Sequence, residues 1–486
     1  MSEDTPVFVA REKDVAVLND AWQQAVGGTP RFIRLQSAFG GGRRALSSEF
    51  LRGVQTGNDD AIIWRVNCLD QENGLQWLVR MYGSLVATLG ADILRRGKVE
   101  MVLNAQMPTQ PKRVQNWYQQ FIASLKEAKT DREKGEVKLR MPQDNPLIGL
   151  VEIVSAISRK IPMVLELQNA YAVNSMALAM FVEALHLECK ESNATLMVLL
   201  FDETDSEVTE CLHPMPLLDY YARGGADAYE ITPWGTEETQ KFLTSKGLTG
   251  NATRIAEISK GRPGFIAELV EILEESDQMG SDLADVSFGS LVPFDIDEDE
   301  LEVPDAPPAE GERTHAGPND SSRVAFLAAL LGQAFPSNLV ADMGGFERES
   351  VDDLFDAMSD LFEEVQFSKE LGTWIYRFKR GAWREGVLER NADDDSQEVA
   401  RRVGMFMERF LVPRGYGFIV KTARVYAEHG APDRAKMIRA MALSNDGPDV
   451  WGLAYDFSRY FDEISWPDTM RRTVYMNLLE RLVNAN

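Results

Sequence analysis

The sequence contains little cysteine and little histidine. Three cysteines and four histidines occur in 486 residues, and the cysteines show no CxxC spacing. An odd, scattered set of cysteines excludes a disulfide framework and predicts buried free thiols in a reducing compartment. The histidines are too dispersed in sequence to indicate a metal site. These residues are Cys68, Cys189, Cys211, His186, His213, His315 and His429.

Long apolar segments are also lacking. The longest apolar run, Ala194–Phe201, is interrupted by Thr195 and is far shorter than the roughly 20 residues that a membrane-spanning helix needs. The sequence does not open with a basic stretch followed by an apolar one, which is the pattern of a secretory leader. We therefore expect a cytoplasmic protein with no membrane partner.

Basic residues are scarce relative to acidic ones. The chain has 51 lysines and arginines against 76 aspartates and glutamates, which gives a formal net charge of −25. Such a chain repels nucleic-acid phosphates at long range, so we do not expect a nucleic-acid partner. The hydrophobic fraction of 44% is ordinary for globular proteins, and the length is sufficient for several domains.

The first part of the chain, up to about residue 280, alternates short apolar runs with amphipathic stretches. This alternation predicts an α/β fold in which strands of a parallel sheet are buried on both faces. The predicted strands are Arg31–Leu35, Ala61–Asn67, Met163–Leu167, Thr195–Phe201 and Tyr229–Thr232.

Residues 281–322 break this alternation. Nine acidic residues and no basic residue occur from Asp295 to Glu312. This composition predicts an acidic disordered linker. The linker is either a solvated spacer or a tail that covers a basic surface, such as the one that Arg43 and Arg44 would form.

The remaining part of the chain is predominantly helical in pattern. Residues 323–392 combine amphipathic helices with two short strands around Gly372, which predicts a winged-helix-like domain. Residues 393–486 are predicted to be helical throughout, with a helix–turn–helix pattern at Tyr426–Lys436 that is similar to a TPR-like repeat.

A glycine-rich segment follows the first predicted strand. A working phosphate-binding loop reads G-x-x-x-x-G-K-[ST] between a strand and a helix. Here Ser37 stands at the first glycine and Gly42 at the second, while Arg43 replaces the lysine and Arg44 replaces the hydroxyl residue that holds Mg²⁺.

The three glycines of this loop support two interpretations. Gly40, Gly41 and Gly42 can adopt the backbone angles that direct successive N–H groups at an anion, next to the positive end of a helix. Alternatively, they only allow the strand to turn tightly onto the helix. The sequence leaves both interpretations open.

Six segments occur in an order that is typical of one family. They are Phe8–Glu12 (FVARE), the loop of Ser37–Arg44, Pro162–Asn169 (PMVLELQN), Ile231–Thr239 (ITPWGTEET), Ile258–Leu269 (ISKGRPGFIAEL) and Tyr376–Glu385 (YRFKRGAWRE). Together they resemble the motifs of signal-transduction ATPases of the STAND type, which are relatives of the AAA+ ATPases. The match covers most of residues 7–390.

The resemblance implies a fold and a domain order. It implies a P-loop NTPase-like parallel sheet in residues 1–228, a helical lid in residues 229–280, the winged-helix domain and then the C-terminal α-helical region. It also implies which residues bind a nucleotide, either ATP or ADP. These are Arg11, Gly40, Gly41, Gly42, Arg43, Arg44, Pro263 and Arg380.

The departures from the family motifs remove the metal-binding groups. Gln168 and Asn169 stand where the family has two acids, and Arg380 stands at a histidine that senses phosphates in relatives. Arg44 has no acceptor for a cation, and neutral amides cannot neutralise Mg²⁺ as carboxylates would. We therefore expect no metal, no catalytic residue and a nucleotide held without Mg²⁺.

One alternative concerns Glu166. If the strand motif is shifted by two residues, Glu166 occupies the metal-acid position and the protein is an active ATPase. Strand alternation places Glu166 on the face opposite Leu165 and Leu167. In the structural interpretation it pairs with an arginine such as Arg34.

The preferred functional hypothesis is a catalytically degenerate STAND-like NTPase that acts as a regulatory or scaffolding adaptor. A protein partner would bind the C-terminal helices, and the oligomeric state is left open. The alternatives are the active ATPase and a winged-helix transcription regulator. The regulator ranks last because Arg348 is the only basic residue in the acidic segment 347–364.

Overall fold

The structure is a computed structural model of the chain. It describes residues 8–68, 74–130, 141, 145–170, 176–203, 225–279, 283–292, 303–368, 372–391, 394–410, 412, 417–429, 431–444 and 466–484. Within these ranges, Cys68 and Cys189 are buried free thiols, as predicted. Cys211 lies outside the described residues.

The first domain is built on a parallel sheet of five strands. The strands are β1 (Arg31–Ser37), β2 (Ile62–Asn67), β3 (Met163–Gln168), β4 (Leu196–Glu203) and β5 (Ala226–Glu230), in the spatial order β2-β3-β4-β1-β5. Every strand pair is parallel. This arrangement confirms the predicted sheet.

The fifth strand was placed too late by the sequence. β5 ends at Glu230 and pairs with β1 from Ala226 onward, whereas the apolar pattern indicated residues 229–232. The reason is that β5 is an edge strand and its side chains are largely exposed. An edge strand of this kind lacks the continuous apolar run that marks β3 and β4.

Helices cover both faces of this sheet. They are α1 (Glu12–Val26), α2 (Arg43–Gly57), α3 (Gly74–Gly90), α4 (Ile93–Gln106), α5 (Lys112–Thr130), α6 (Pro146–Ser158) and α7 (Met176–Glu191). Alternate residues of each strand enter different cores: Val198 and Leu200 face the core with α3 and α5, while Leu199 and Phe201 face the core with α1 and α2. This is the two-residue period of a strand buried on both sides.

Three helices follow the sheet and form the predicted lid. They are α8 (Thr236–Ser245), α9 (Ala252–Ile258) and α10 (Pro263–Glu275). Pro263 is the first residue of α10, a position where the missing N–H leaves no bond unsatisfied. The lid has its own apolar core, which also contains Ala382 from the next domain.

The described parts of segment 281–322 differ from the disordered linker that the sequence predicts. Val292, Val303 and Ala316 are buried in the apolar core of the winged-helix domain. Arg313 donates to Asp342 at 2.7 Å within the same domain. These contacts fix the two ends of the segment, because isolated apolar residues in an acidic sequence can still anchor it to a core. Residues 293–302, which contain half of its acidic residues, lie outside the described residues.

The next domain has the helix and strand order of a winged helix. Its elements are α11 (Ser321–Leu331), β6 (Ala334–Pro336), α12 (Ser337–Gly344), α13 (Arg348–Ala357), β7 (Phe362–Ser368), β8 (Thr373–Phe378) and α14 (Gly381–Arg390). The three strands form an antiparallel sheet in the order β6-β8-β7. The predicted wing is therefore confirmed.

The described part of the C-terminal region is helical, as predicted. The described helices are α15 (Asp394–Phe410), α16 (Gly417–Glu428), α17 (Pro432–Leu443) and α18 (Asp468–Asn484). Residues of α17 and α18, including Met437 and Val474, belong to the same apolar core as one face of the sheet. The region thus packs back on the first domain.

The chain therefore has a P-loop NTPase-like α/β fold, followed by a helical lid, a winged helix and C-terminal helices. Of the helices that the structure describes, none has both the length and the apolar character needed to cross a bilayer. The TPR-like character of the last region and the exact domain boundaries stay predictions.

Candidate phosphate-loop site

The turn between β1 and α2 needs glycine at three successive positions. Gly40 and Gly42 have φ values of 80° and 90°, in the left-handed region that residues with a Cβ rarely adopt. A Cβ on Gly41 would lie 2.4 Å from Ser37 Oγ. The loop is therefore a tight turn that other residues would strain.

The same turn leaves backbone donors available at the start of α2. The N–H of Gly41 donates to the carbonyl oxygen of Ala38 at 2.9 Å. In the part of the chain that the structure describes, no hydrogen bond is recorded from the N–H groups of Gly42, Arg43 and Arg44. Free N–H groups at the positive end of a helix are what an anion requires. The tight turn and the anion site remain compatible interpretations.

Arg43, at the position of the family lysine, is bonded to the protein itself. Its Nη1 donates to the carbonyl oxygen of Ser37 at 2.6 Å and also to the carbonyl oxygen of Asp202. Its Nη2 lies 3.6 Å from Glu203 Oε2, and the side chain is only 10% exposed. Arg43 therefore ties the loop helix to the end of β4. Arg44, by contrast, is exposed and forms no ion pair with any described residue.

Glu203, the last residue of β4, lies between two arginines. Besides Arg43, it contacts Arg424 of α16, whose Nη1 is 2.9 Å from Glu203 Oε1. The carboxylate is 3% exposed. Sequence reasoning missed this residue, although Asp202 and Glu203 directly follow the apolar run that predicts β4. That position was the only signal available, because Arg424 is remote in sequence.

The two neutral residues at the acid positions both donate hydrogen bonds within the sheet, Gln168 to a carboxylate and Asn169 to an amide. Gln168 Nε2 donates to Glu166 Oε1. Asn169 has a left-handed φ of 54° and donates from Nδ2 to Asn67 Oδ1 at 2.7 Å, at the end of β2. Neither side chain supplies a negative oxygen at the edge of the sheet where the loop lies.

Glu166 lies two residues before Gln168 in β3, and its side chain faces α2. It is 1% exposed, and its Oε2 accepts a hydrogen bond from Ser47 Oγ. Arg65 Nε is 3.8 Å from the same oxygen. Glu166 is thus on the face opposite Leu165 and Leu167, as strand alternation predicts.

Glu166 lies near an arginine, as the structural interpretation predicts, but the arginine is Arg65 and the example of Arg34 was wrong. Arg34 lies on β1 and donates instead to Asp202 Oδ2 at 2.5 Å on the neighbouring strand β4. Since β3 and β1 are separated by β4 in the sheet, the arginine that reaches Glu166 is Arg65 of the adjacent strand β2.

Arg11 approaches the loop from the start of α1. Its Nη1 donates to the carbonyl oxygen of Thr232 at 2.5 Å, and its Nη2 lies 3.4 Å from the carbonyl oxygen of Gly41. Burial lowers the pKa of Arg11, and the adjacent Asp14 opposes this shift. Ala10 has a φ of 60°. This residue thus adopts a left-handed backbone conformation that favours glycine.

The lid contacts the loop through the beginning of α10. The N–H of Gly264 donates to the carbonyl oxygen of Gly40 at 2.8 Å. A Cβ on Gly42 would lie 3.7 Å from Pro263 Cγ. The structure thus places Pro263 beside the loop, together with Arg11 and Arg43. That these residues bind a nucleotide stays a prediction.

Arg380 contacts the lid rather than the loop. Its Nη2 donates to Glu275 Oε1 at the end of α10, at 2.6 Å, and its guanidinium lies 5.0 Å from the centre of the Trp383 ring. The next residue, Gly381, is the one that approaches the loop, since a Cβ there would lie 3.2 Å from the Phe39 ring. A phosphate contact for Arg380 stays a prediction.

The site contains no arrangement that is typical of a metal centre within the described residues. No group of three or more His, Cys, Asp or Glu side chains lies close enough together there to hold an ion. The chemistry that the described groups offer is anion binding by backbone N–H groups and arginines.

Comparison with solved structures gives matches over most of the chain at low identity. The chain is similar to Cdc6p from Pyrobaculum aerophilum, with a TM-score of 0.36 and 11% identity over 82% of this chain and 96% of that one. It is also similar to the ORC1 protein of Aeropyrum pernix in complex with DNA, with a TM-score of 0.33 and 10% identity over 80% of this chain and 95% of that one. A third match is a Walker-type ATPase of Pyrococcus abyssi, with a TM-score of 0.35 and 12% identity over 78% of this chain and 96% of that one.

Neither a family model nor a curated protein matches the sequence. Structural similarity at TM-scores below 0.5 indicates nothing about activity, ligand or partner. The function of this chain has to be inferred from its own site.

Proposed function

We propose that this chain is a catalytically degenerate STAND-like NTPase that acts as a regulatory or scaffolding adaptor. The observation that carries the proposal is the set of bonds made by Arg43. The side chain at the lysine position donates to two carbonyl oxygens and lies beside Glu203. A cation with these internal partners does little to stabilise the negative charge that develops on a transferred phosphoryl group.

The residues around Arg43 lead to the same proposal. Phosphoryl transfer depends on positioning and on charge stabilisation by metal ions and cations. Gln168 and Asn169 offer neutral amides where carboxylates would hold Mg²⁺. Loss of a single donor that stabilises a transition state costs roughly 3 kcal/mol, so loss of the metal ligands makes hydrolysis slow or absent.

Binding of ATP or ADP without Mg²⁺ is part of the proposal. The N–H groups of Gly42, Arg43 and Arg44 would donate hydrogen bonds to phosphate oxygens, and the exposed Arg44 would add positive charge. This interaction needs no metal, because backbone dipoles and a guanidinium supply the positive potential.

The adaptor role is supported by an exposed apolar stripe on α18. Met476, Leu479 and Val483 are 61%, 53% and 68% exposed, and their spacing places them on one side of a helix. Exposed apolar groups that adjoin one another are typical of protein-binding surfaces. We propose that a protein partner binds the C-terminal helices. DNA binding by the winged helix gains no such support, because α13 carries Glu349, Asp352, Asp353 and Asp356.

A steady-state turnover assay with ATP and GTP in the presence of Mg²⁺ tests the proposal. We expect the unaltered chain and Arg43→Ala to give the same background rate. Arg31→Ala is the matched control, since Arg31 lies at the other end of β1 and pairs with the exposed Asp227. Turnover that Arg43→Ala abolishes and Arg31→Ala leaves intact would contradict the proposal.

A panel of thermal-unfolding measurements tests the nucleotide part. ATP, ADP, GTP and GDP are added with Mg²⁺ or with EDTA, because a ligand that binds the folded state raises its stability. We expect the same increase in Tm with either addition. An increase that requires Mg²⁺ would exclude a metal-free site.

The active ATPase remains the second candidate because of Ser47 and Glu166. A hydroxyl on the loop helix bonded to a carboxylate on β3 resembles the pair of groups that holds Mg²⁺ in working ATPases. Both Glu166 oxygens already have partners, however, so a metal ion would have to displace Ser47, Gln168 or Arg65. Turnover that is lost in Glu166→Gln would establish this candidate.

A further inference from the structure

A series of alternating positive and negative side chains connects the loop to the lid, the winged helix and the C-terminal helices. Each consecutive pair is a salt bridge, with distances of 3.6, 2.9, 3.9, 3.2, 3.4 and 3.3 Å in order. The members are Arg43 and Glu203 in the α/β domain, Arg424 and Glu428 on α16, Arg384 and Glu385 on α14, and Arg262 in the lid.

Within this series of charged residues, Glu203 is the acidic residue that contacts Arg43 of the loop. It is the carboxylate beside Arg43, and it also holds Arg424. Two arginines brought together away from water repel each other, and a buried anion between them offsets this repulsion. Glu203 therefore has the charge and the position that one phosphate of a ligand would have beside Arg43.

We propose that Glu203 is the internal counter-anion of the loop, which neutralises Arg43 in place of a ligand's phosphate. A phosphorylated ligand gains the full charge of Arg43 only when it displaces Glu203. This inference rests on the proposed metal-free phosphate site. It adds a residue that opposes binding, and through Arg424 it connects occupancy of the loop to the C-terminal helices.

The first consequence concerns the affinity for anions. In Glu203→Gln the negative charge is removed while the side-chain shape is kept, so the charge of Arg43 is no longer neutralised by a carboxylate, although its bonds to the Ser37 and Asp202 carbonyl oxygens remain. At an effective dielectric constant of about 20, a like charge at about 6 Å opposes binding by more than 1.4 kcal/mol, which is a factor of ten in affinity. We expect Glu203→Gln to bind inorganic triphosphate at least about tenfold more tightly than the unaltered chain, measured by calorimetry in EDTA.

The structure offers a close control. Asp342 is also a buried carboxylate between two arginines, with Arg313 at 2.7 Å and Arg348 at 3.5 Å. It lies in the winged helix and has no contact with the loop among the described residues. Asp342→Asn should lose stability in the same way and leave triphosphate affinity unchanged.

A second variant should change the affinity in the opposite direction. In Arg424→Ala the carboxylate of Glu203 has one arginine fewer and binds Arg43 more strongly. We expect triphosphate to bind several-fold more weakly. This variant decides the question if Glu203→Gln does not fold.

The inference is contradicted if Glu203→Gln binds triphosphate no more tightly than Asp342→Asn does. It is also contradicted if Arg424→Ala binds as well as the unaltered chain or better. If the proposed function is wrong, a different result is expected, namely Mg²⁺-dependent turnover by the unaltered chain. The affinities are measured in EDTA, where metal-dependent hydrolysis does not occur, so the two failures can be told apart.

Discussion

The ion pairs beside the phosphate loop and the winged-helix core are both buried, but they are held by different kinds of contact. Around the loop, arginine side chains bind carbonyl oxygens and carboxylates. In the winged helix, aromatic rings pack against one another with centroid distances from 4.7 to 5.9 Å. These rings are Phe335, Phe355, Phe362, Tyr376 and Phe378.

The difference determines what each region can respond to. Apolar burial is roughly proportional to area and has no direction, so one anion has little effect on it. A buried ion pair depends on both partners, and removal or replacement of one changes the whole arrangement. We therefore expect the winged helix to be a stable support and the loop region to be the part that responds to a ligand.

The largest effect should come from the aromatic core. Phe335 is fully buried and contacts three other rings, so Phe335→Ala should lower the free energy of unfolding by about 3–5 kcal/mol. Triphosphate affinity should not change. Urea unfolding and calorimetry measure the two quantities.

The matched control for this change is Phe367→Ala. Phe367 belongs to the same sheet but is 49% exposed, so its loss should cost less than about 1 kcal/mol. If Phe335→Ala weakened triphosphate binding in a protein that still folds, the two regions would not be independent and the comparison would fail.

The second effect should come from Arg43. Its removal leaves the Ser37 and Asp202 carbonyl oxygens and the Glu203 carboxylate with one partner fewer, which is expected to cost about 3 kcal/mol. Arg31→Ala, at the exposed end of the same strand, should cost less than about 1 kcal/mol. Urea unfolding of both variants at low and high salt checks this. If both variants lost the same free energy of unfolding, the buried contacts of Arg43 would contribute no more than an exposed ion pair.

The sequence predicted the parts of the molecule that depend on local pattern. Strands β1 to β4, the glycine turn and the wing follow from apolar runs and glycine positions, each of which is set by neighbouring residues. The partners of Glu203 and Glu166 could not be predicted in this way. Arg424 reaches Glu203 from another domain, and Arg65 reaches Glu166 because β2, and not β1, adjoins β3.

The buried contacts of Val303 and Ala316 were missed for a related reason. Val303 and Ala316 are single apolar residues within a polar sequence, and nothing local distinguishes them from exposed ones. Their role depends on the winged-helix core that they contact. Composition predicts how a segment behaves on average, whereas one well-placed side chain can attach it.

The smallest effect should come from the backbone beside the loop. Ala10 has a φ of 60°, which costs an L-residue about 1–2 kcal/mol, while glycine pays about 0.5–1 kcal/mol in conformational entropy. Ala10→Gly should therefore raise the free energy of unfolding by about 0.5 kcal/mol. Ala16→Gly, at an exposed position of α1, should lower it by about 1 kcal/mol. Urea unfolding of both variants measures the difference in sign. If both changes destabilise the protein equally, the left-handed conformation at Ala10 is not a feature of the folded chain.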